Sequence, residues 1–294
     1  MVRTCLDVKD AAVRLAFVDH HLANFHADKF LGLLRTTFAD RAVEVTAFET
    51  DPTPGRDWCA DNDVPRAGSL TEVIDWADAV LVLAPDNLDT HLGFARQVLP
   101  AGKRVVFDKL IALDPVEART IVAEAAELGT SIFSGSALRY AAEVEELLQC
   151  VDPGDITDAF ARGYGVWDHY GIHTLSLGVR LGGFDIARVR DSGTDDSRVL
   201  TLDHGSRRTT IDCRTGANAP QVLGWTCGVK VGDEWRTATI TQFDAFYTNL
   251  LGHYLDFLAG AEPESTPDDL ARLVGVLAGS GASLAAGGDW VELA

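Results

Sequence analysis

Five short apolar runs punctuate the first half of this chain: Val13 to Val18, Val43 to Phe48, Ala79 to Leu83, Val105 to Phe107 and Ser131 to Phe133. Each is strand-long and mostly apolar, the pattern of strands covered on both sides. Between them, Phe30-Leu31-Leu33-Leu34-Phe38 and Val116-Ala118-Ile121-Val122-Ala125 recur at helical spacing, so each crossover can lay an apolar stripe back on the sheet. The rhythm predicts an α/β chain that begins with a doubly wound, Rossmann-type parallel sheet. After about Gly135 the texture changes. Ala142 to Leu148 reads as a helix, whereas Val199 to Leu202 and Arg208 to Cys213 alternate as strands with one wet face do. Two helical patterns, Phe246 to Leu258 and Pro267 to Ala286, then precede a short strand at Trp290 to Leu293. The expected division is residues 1–134 as one domain and 135–294 as an α+β domain with a mostly antiparallel open sheet.

In a doubly wound sheet, the turn after the first strand usually carries glycines, which let a dinucleotide's pyrophosphate approach the amides at a helix N-terminus. Here that turn reads Asp19-His20-His21-Leu22-Ala23-Asn24, and the first glycine of the chain is Gly32. Asp19 adds like charge. Asn24 tolerates positive φ, and His20 and His21 can donate to phosphate, so these three form an expected substitute cradle. The plain alternative is a loop that binds nothing. Glu49 closes the second strand 25 residues after Asn24, near the spacing at which an acid accepts the adenosine ribose hydroxyls and repels a 2'-phosphate. That favours NAD over NADP, with Asp51 as the fallback and a solvated strand-end acid as the bland reading.

Charge narrows the partners. Acidic residues outnumber basic ones 44 to 25, and a net charge of −19 repels both nucleic acid and anionic membrane surfaces. Five scattered cysteines lack C-x-x-C spacing, which argues against a disulfide or zinc framework. No run approaches the roughly 20 apolar residues of a bilayer span and no signal-like stretch opens the chain, so the cytoplasm is expected.

Two further segments are Pro85-Asp86-Asn87-Leu88-Asp89-Thr90-His91 and Ala101-Gly102-Lys103-Arg104-Val105-Val106-Phe107-Asp108-Lys109. With Ser136 to Tyr140, Gly171-Ile172-His173 and the closing Gly287 to Val291, they resemble the glucose-fructose oxidoreductase and inositol dehydrogenase family, Gfo/Idh/MocA. Pro85, His91, Lys103 and Lys109 fall on positions of that family's turn and E-K-P motifs, and Arg139 matches a family arginine. Departures stand beside these matches: no glycine turn, Asp108 for glutamate, Leu110 for proline, and His169 for an aspartate four residues before His173. The resemblance implies hydride transfer between a nicotinamide coenzyme and a sugar, cyclitol or related polyol. It implies Lys109 and His173 as catalytic residues, and His169, Tyr170 and Arg139 as substrate contacts. Coenzyme contacts are expected from His20, His21, Asn24, Glu49, Pro85, Asn87 and Asp108. A homo-oligomer, dimer or tetramer, is the expected assembly.

Chemistry alone asks for a group that moves the hydroxyl proton. His173 suits without any shift of its pKa, and Lys109 suits if burial lowers its own or if it stays charged beside a developing alkoxide. The bland reading of Lys109 is an ion pair with Asp108. His169 and His173, spaced i, i+4, would share a helix face with Asp168 as N-cap. No third ligand is fixed for a metal on that pair, so none is assigned. His26 and His91 are expected to be structural. Two other classes stay open: a relative that has lost nicotinamide and serves as a binding or partner subunit, with no cofactor at all, and a cofactor-independent or metal-assisted lyase or hydrolase using His169 and His173.

Overall fold

The computed structural model describes residues 12–214 and 224–293, with the side chains of Asp168 and His169 excluded. Cys5 and the expected loop at Thr215 to Pro220 therefore lie outside the described residues. Strands β1 (Val13–Asp19), β2 (Val43–Glu49), β3 (Ala79–Val82), β4 (Arg104–Asp108) and β5 (Ile132–Gly135) pair in parallel in the order β2-β1-β3-β4-β5. Leu15, Phe17, Leu81, Val105 and Phe107 are fully buried, as continuous apolar runs require in a sheet covered on both faces. Beyond β2, a single parallel bridge joins Ala47 to Arg66. Counting that rudiment as a strand yields the order of a dinucleotide-binding sheet, whose direction reverses between β1 and β3. The crevice at that reversal, outside the carboxyl ends of the strands, is where such folds take ligands.

Local signals explain the crossovers. Helix α1 (Phe25–Arg35) starts at the Asn24 side-chain cap. Helix α5 (Pro115–Leu128) starts at Asp114, whose carboxylate accepts from the amides of Val116 and Glu117, and ends at Gly129 with φ 65.

The second sheet runs β11-β10-β6-β9-β8-β7-β12. Its strands are β6 (Ile156–Tyr164), β7 (Arg188–Asp191), β8 (Ser197–Asp203), β9 (Arg208–Arg214), β10 (Trp225–Val231), β11 (Glu234–Ile240) and β12 (Val291–Glu292). β6 and β9 pair in parallel and the other neighbours antiparallel. Helix α7 (Trp167–Gly182) lies across β6 and β9, so close that a Cβ at Gly178 would overlap Ile211. Asp168 is not its N-cap. Gly165, with φ 120, turns the chain early, so the cap position falls on Val166 and Trp167 opens the helix by burying its ring.

The last helices tie the two sheets together. Helix α8 (Ala245–Leu258) returns to α1, β4 and β5, where the Tyr254 hydroxyl donates to the carbonyl of Gly135 at 2.8 Å. Helix α9 (Pro267–Ala285), opened by a Thr266–Asp269 capping box, packs between α5 and β7. Among the described residues, no helix is long and apolar enough to cross a membrane.

Candidate active site

The turn between β1 and α1 solves its own hydrogen-bonding problem. A helix N-terminus leaves amides unpaired, and phosphate or a capping side chain must take them. Asn24 Oδ1 accepts from the amides of His26 (2.9 Å) and Ala27 (3.1 Å), while its Nδ2 donates to Asp19 (2.8 Å) and to the His21 carbonyl (2.6 Å). Asp19 Oδ1 accepts from the His21 amide at 3.1 Å. Glu49 Oε2 accepts from the Leu22 amide at 2.8 Å, and its other oxygen accepts from Arg66 at 2.7 Å. The amides of His21, Leu22, His26 and Ala27 thus end on side-chain oxygens of this chain. Bulky residues fit because the backbone needs no left-handed step here. Asn24 sits at φ −134, so it acts as a cap and not through the positive φ expected of it.

His20 and His21 stack at the rim with ring centroids 4.2 Å apart. His20 Nδ1 meets Thr50 Oγ1 at 2.7 Å, His21 Nδ1 meets the Asp51 carbonyl, and both Nε2 atoms lie 4.0 Å from Asp51 Oδ2. Beside them opens a 190 Å³ cleft lined by His21, Ala23, Asn24, Thr53, Pro85, Asp86 and Asn87, at the reversal between β1 and β3. Its volume falls below the roughly 300–1,000 Å³ of most ligand pockets. Of the expected coenzyme contacts, His21, Asn24, Pro85 and Asn87 share this cleft, with His20 at its edge. Glu49 and Asp108 do not line it.

Asp108 closes β4, and Lys109 follows it with a left-handed backbone, so the two side chains part and find different partners. Asp108 is fully buried, with one carboxylate oxygen 2.5 Å from His26 Nδ1, and its charge reaches both Asp19 and His173. Lys109 pairs instead with the β3-side turn, its Nζ 3.1 Å from the Pro85 carbonyl and 3.5 Å from Asp86. Its φ is 62, a conformation that a following proline would oppose and that Leu110 permits. Ala84, on the opposite lip, is also left-handed at φ 38. Two strained residues that flank a cleft mark its backbone as over-determined. His91 is fully buried, its ring nitrogens 2.8 Å from the Leu110 carbonyl and 3.3 Å from that of Leu83, and it fixes these lips to one another.

His173 comes from the second turn of α7. Its Nδ1 lies 2.6 Å from Ser136 Oγ. Ser136 follows Gly135, the ladder partner of Asp108, so His173 and Lys109 meet at the ends of adjacent strands. Burial pushes His173 down to about 3, helped by the Lys109 cation and by His26. The expectation of an unshifted imidazole is thereby corrected: the helix is pressed on the sheet and water is excluded. Tyr170, half exposed, stands 5.6 Å from that ring, whereas the side chain of His169 lies outside the described residues. Arg139 is buried and held by Ser265 (3.1 Å) and Glu264 (3.7 Å) in the loop ahead of α9, with its guanidinium near the Tyr140 and Phe184 rings, and with Lys109 it lines a small enclosed pocket and not the 190 Å³ cleft. Three participants carry no motif of their own: His26, Arg66 and Tyr247, whose ring lies 5.7 Å from that of His26.

Two buried groups give opposite pH responses. Burial pushes Asp19 up to about 7 from 3.8, so its contribution is complete below about pH 4 and is lost as pH rises towards 7. His173 falls from 6.5 to about 3, so its contribution is complete above about pH 6.5 and is lost as pH falls towards 3. Between about pH 4 and 6.5 the slopes oppose one another. Urea unfolding across that range should therefore show Asp19→Asn gaining stability with rising pH relative to the parent, and His173→Gln losing it. Parallel curves for all three proteins would refute both assignments.

Residues 19–136 match the family described as the oxidoreductase family with NAD-binding Rossmann fold, GFO_IDH_MocA. No curated protein matches the sequence. Solved structures share the architecture over nearly the whole chain. GenD2 from gentamicin A biosynthesis, in complex with NAD, is 19% identical, with TM-score 0.78 over 96% of this chain and 97% of its own. Myo-inositol 2-dehydrogenase from Lactobacillus plantarum is 16% identical, with TM-score 0.77 over 97% and 100%. The WlbA dehydrogenase from Chromobacterium violaceum, in complex with NADH and UDP-GlcNAcA, is 16% identical, with TM-score 0.74 over 100% and 99%. At these identities the likeness is one of fold.

Proposed function

With residues 19–136 placed in the Gfo/Idh/MocA oxidoreductase family, we propose that this protein oxidises or reduces a hydroxyl or carbonyl of a sugar, cyclitol or related polyol by NAD-dependent hydride transfer. The convergence of Lys109 and His173 at the mouth of the parallel sheet carries this reading. The division of labour near residue 134, with coenzyme on one side and substrate on the other, belongs to the same proposal, as does a homo-oligomer, which sedimentation would test.

Bound nicotinamide supplies the hydride acceptor or donor. The chain's own residues handle the oxygen. The Lys109 ammonium, anchored on the Pro85 carbonyl, donates to the substrate oxygen and stabilises negative charge developing there. His173, neutral at pH 7, accepts a hydrogen bond from a substrate hydroxyl and orients it while Ser136 holds its ring. Tyr170 covers that ring from the solvent side, and His169 adds a substrate contact from the same helix. Since the turn amides are filled, the diphosphate takes its contacts from His20, His21 and the Thr53–Asn87 side of the cleft.

Titration of the purified protein with NADH, followed by nicotinamide fluorescence, tests the reading, and saturable binding is expected. Those four filled amides favour a second reading, a relative that binds its ligand without coenzyme, and absence of any NADH response would establish it. Glu49 acts on coenzyme choice through Arg66, which it neutralises. Glu49→Ala leaves that guanidinium to Asp57 alone and should narrow the preference for NADH over NADPH; an unchanged ratio of the two affinities would remove Glu49 from the assignment.

A further inference from the structure

His20, His21 and Asp51 place three potential ligand atoms within 4.8 Å of one another on the rim of the cleft. The orientation of the rings is fixed from behind. The Asp51 carbonyl can only accept, so His21 Nδ1 carries the proton and its Nε2 lone pair is free. Thr50 Oγ1, 2.7 Å from His20 Nδ1, can accept from it, and that arrangement also leaves the His20 Nε2 lone pair free. Backbone bonds from Thr50 to Asp19 (3.2 Å) and from Asp51 to His20 (2.9 Å) clamp the two segments that carry the ligands. An oxygen behind each imidazole, with the other nitrogen turned to a shared point, is the arrangement that orients histidine for a metal.

We propose that His20, His21 and Asp51 form a binding site for a divalent transition-metal ion of the zinc class. Each Nε2 is 4.0 Å from Asp51 Oδ2. Ligand bonds of about 2.0–2.1 Å in a tetrahedron put donor atoms roughly 3.4 Å apart. The exposed Asp51 side chain closes that difference by a small rotation. Imidazole nitrogens select zinc-like ions over magnesium or calcium. Three protein ligands leave a coordination position open, as in sites that bind an exchangeable ligand. His21 also lines the 190 Å³ cleft, so that position takes an anionic oxygen lodged there, such as a phosphate or carboxylate oxygen. The ion thereby supplies positive charge at a turn whose own amides are filled and whose neighbours, Asp19, Asp51 and Asp86, are acidic. This site stands without the hydride-transfer reading.

Chelator-stripped full-length protein titrated with Co²⁺, a spectroscopic substitute for Zn²⁺, should develop visible d–d bands that saturate at one equivalent, with Zn²⁺ displacing it. His20→Ala and His21→Ala should each weaken binding by about 100-fold or more, and Thr50→Val by about tenfold. His253→Ala, whose ring packs against Tyr140 and faces Glu264, should leave it unchanged, with circular dichroism checking the fold of every variant. Absence of the bands, or stoichiometric binding that survives His20→Ala/His21→Ala, would overturn the proposal. Neither outcome depends on whether NADH binds.

Discussion

Lys109→Met is expected to lower turnover by about 10²–10⁴-fold on whichever polyol or sugar proves to be the substrate, the range for loss of a charge-stabilising donor or proton-transfer group. Methionine keeps the unbranched stem and can occupy the same backbone conformation, so what disappears is the ammonium. Folding should survive. The interactions lost are one bond to the Pro85 carbonyl and a 3.5 Å contact with the exposed Asp86, together about 1–2 kcal/mol. The same substitution removes a cation that lowers His173, so the histidine's titration, followed by NMR, should move up from about 3. Full activity in Lys109→Met would move the chemistry elsewhere, and an unmoved histidine would deny that the two groups meet.

The second large effect is one of stability. Asp108 is fully buried and its partner across 2.5 Å is His26. His26→Leu leaves that buried carboxyl group without its partner, and breaking a buried pair in this way costs about 3–5 kcal/mol. Replacing both members with apolar residues of similar size removes the stranded group, so His26→Leu/Asp108→Leu should recover most of the loss. Urea denaturation of the two variants and the parent provides the comparison. A His26→Leu loss below about 1 kcal/mol, or a double variant no better than the single, would show that the pair does not carry this part of the core. Because the Asp108 carboxylate also lies near Tyr254 and Asp19, the loss should spread to α8 and the β1 turn, visible as faster amide exchange there.

Much of the architecture was legible in advance because it depends on periodicity. The five parallel strands fall within one or two residues of the apolar runs, and α5, α6 (Ala142–Gln149), α8 and α9 follow the helical patterns. The second sheet was legible only at β8, β9 and β12. Strands β6, β7, β10 and β11 mix charged and apolar residues, as in Arg188-Val189-Arg190-Asp191, and their faces become distinct only when α7 covers β6 and β10, α9 covers β7 and α6 covers β11.

The site divides along the same line. The missing glycines could be read directly, and so could the presence of Lys109 and His173. What took the place of the glycines could not: Glu49 reaches Leu22 from the next strand, and Arg66 arrives from beyond it. Arg139, matched to a family position, turned out to be locked by Ser265 and Glu264, which are more than a hundred residues away in the chain.

The sequence by itself determined the α/β class, the strand and helix phases, and the fact that no glycine turn serves this crevice, because each is a local property of residue type and spacing. Only the tertiary structure decided which polar groups are partners: Asp108 with His26, Lys109 with Pro85 and Asp86, Glu49 with Leu22 and Arg66, and His20 with His21 and Asp51. Those pairings arise where strand ends meet, across stretches of chain that no period links, and burial there fixes each charge by forcing it to find the nearest complement.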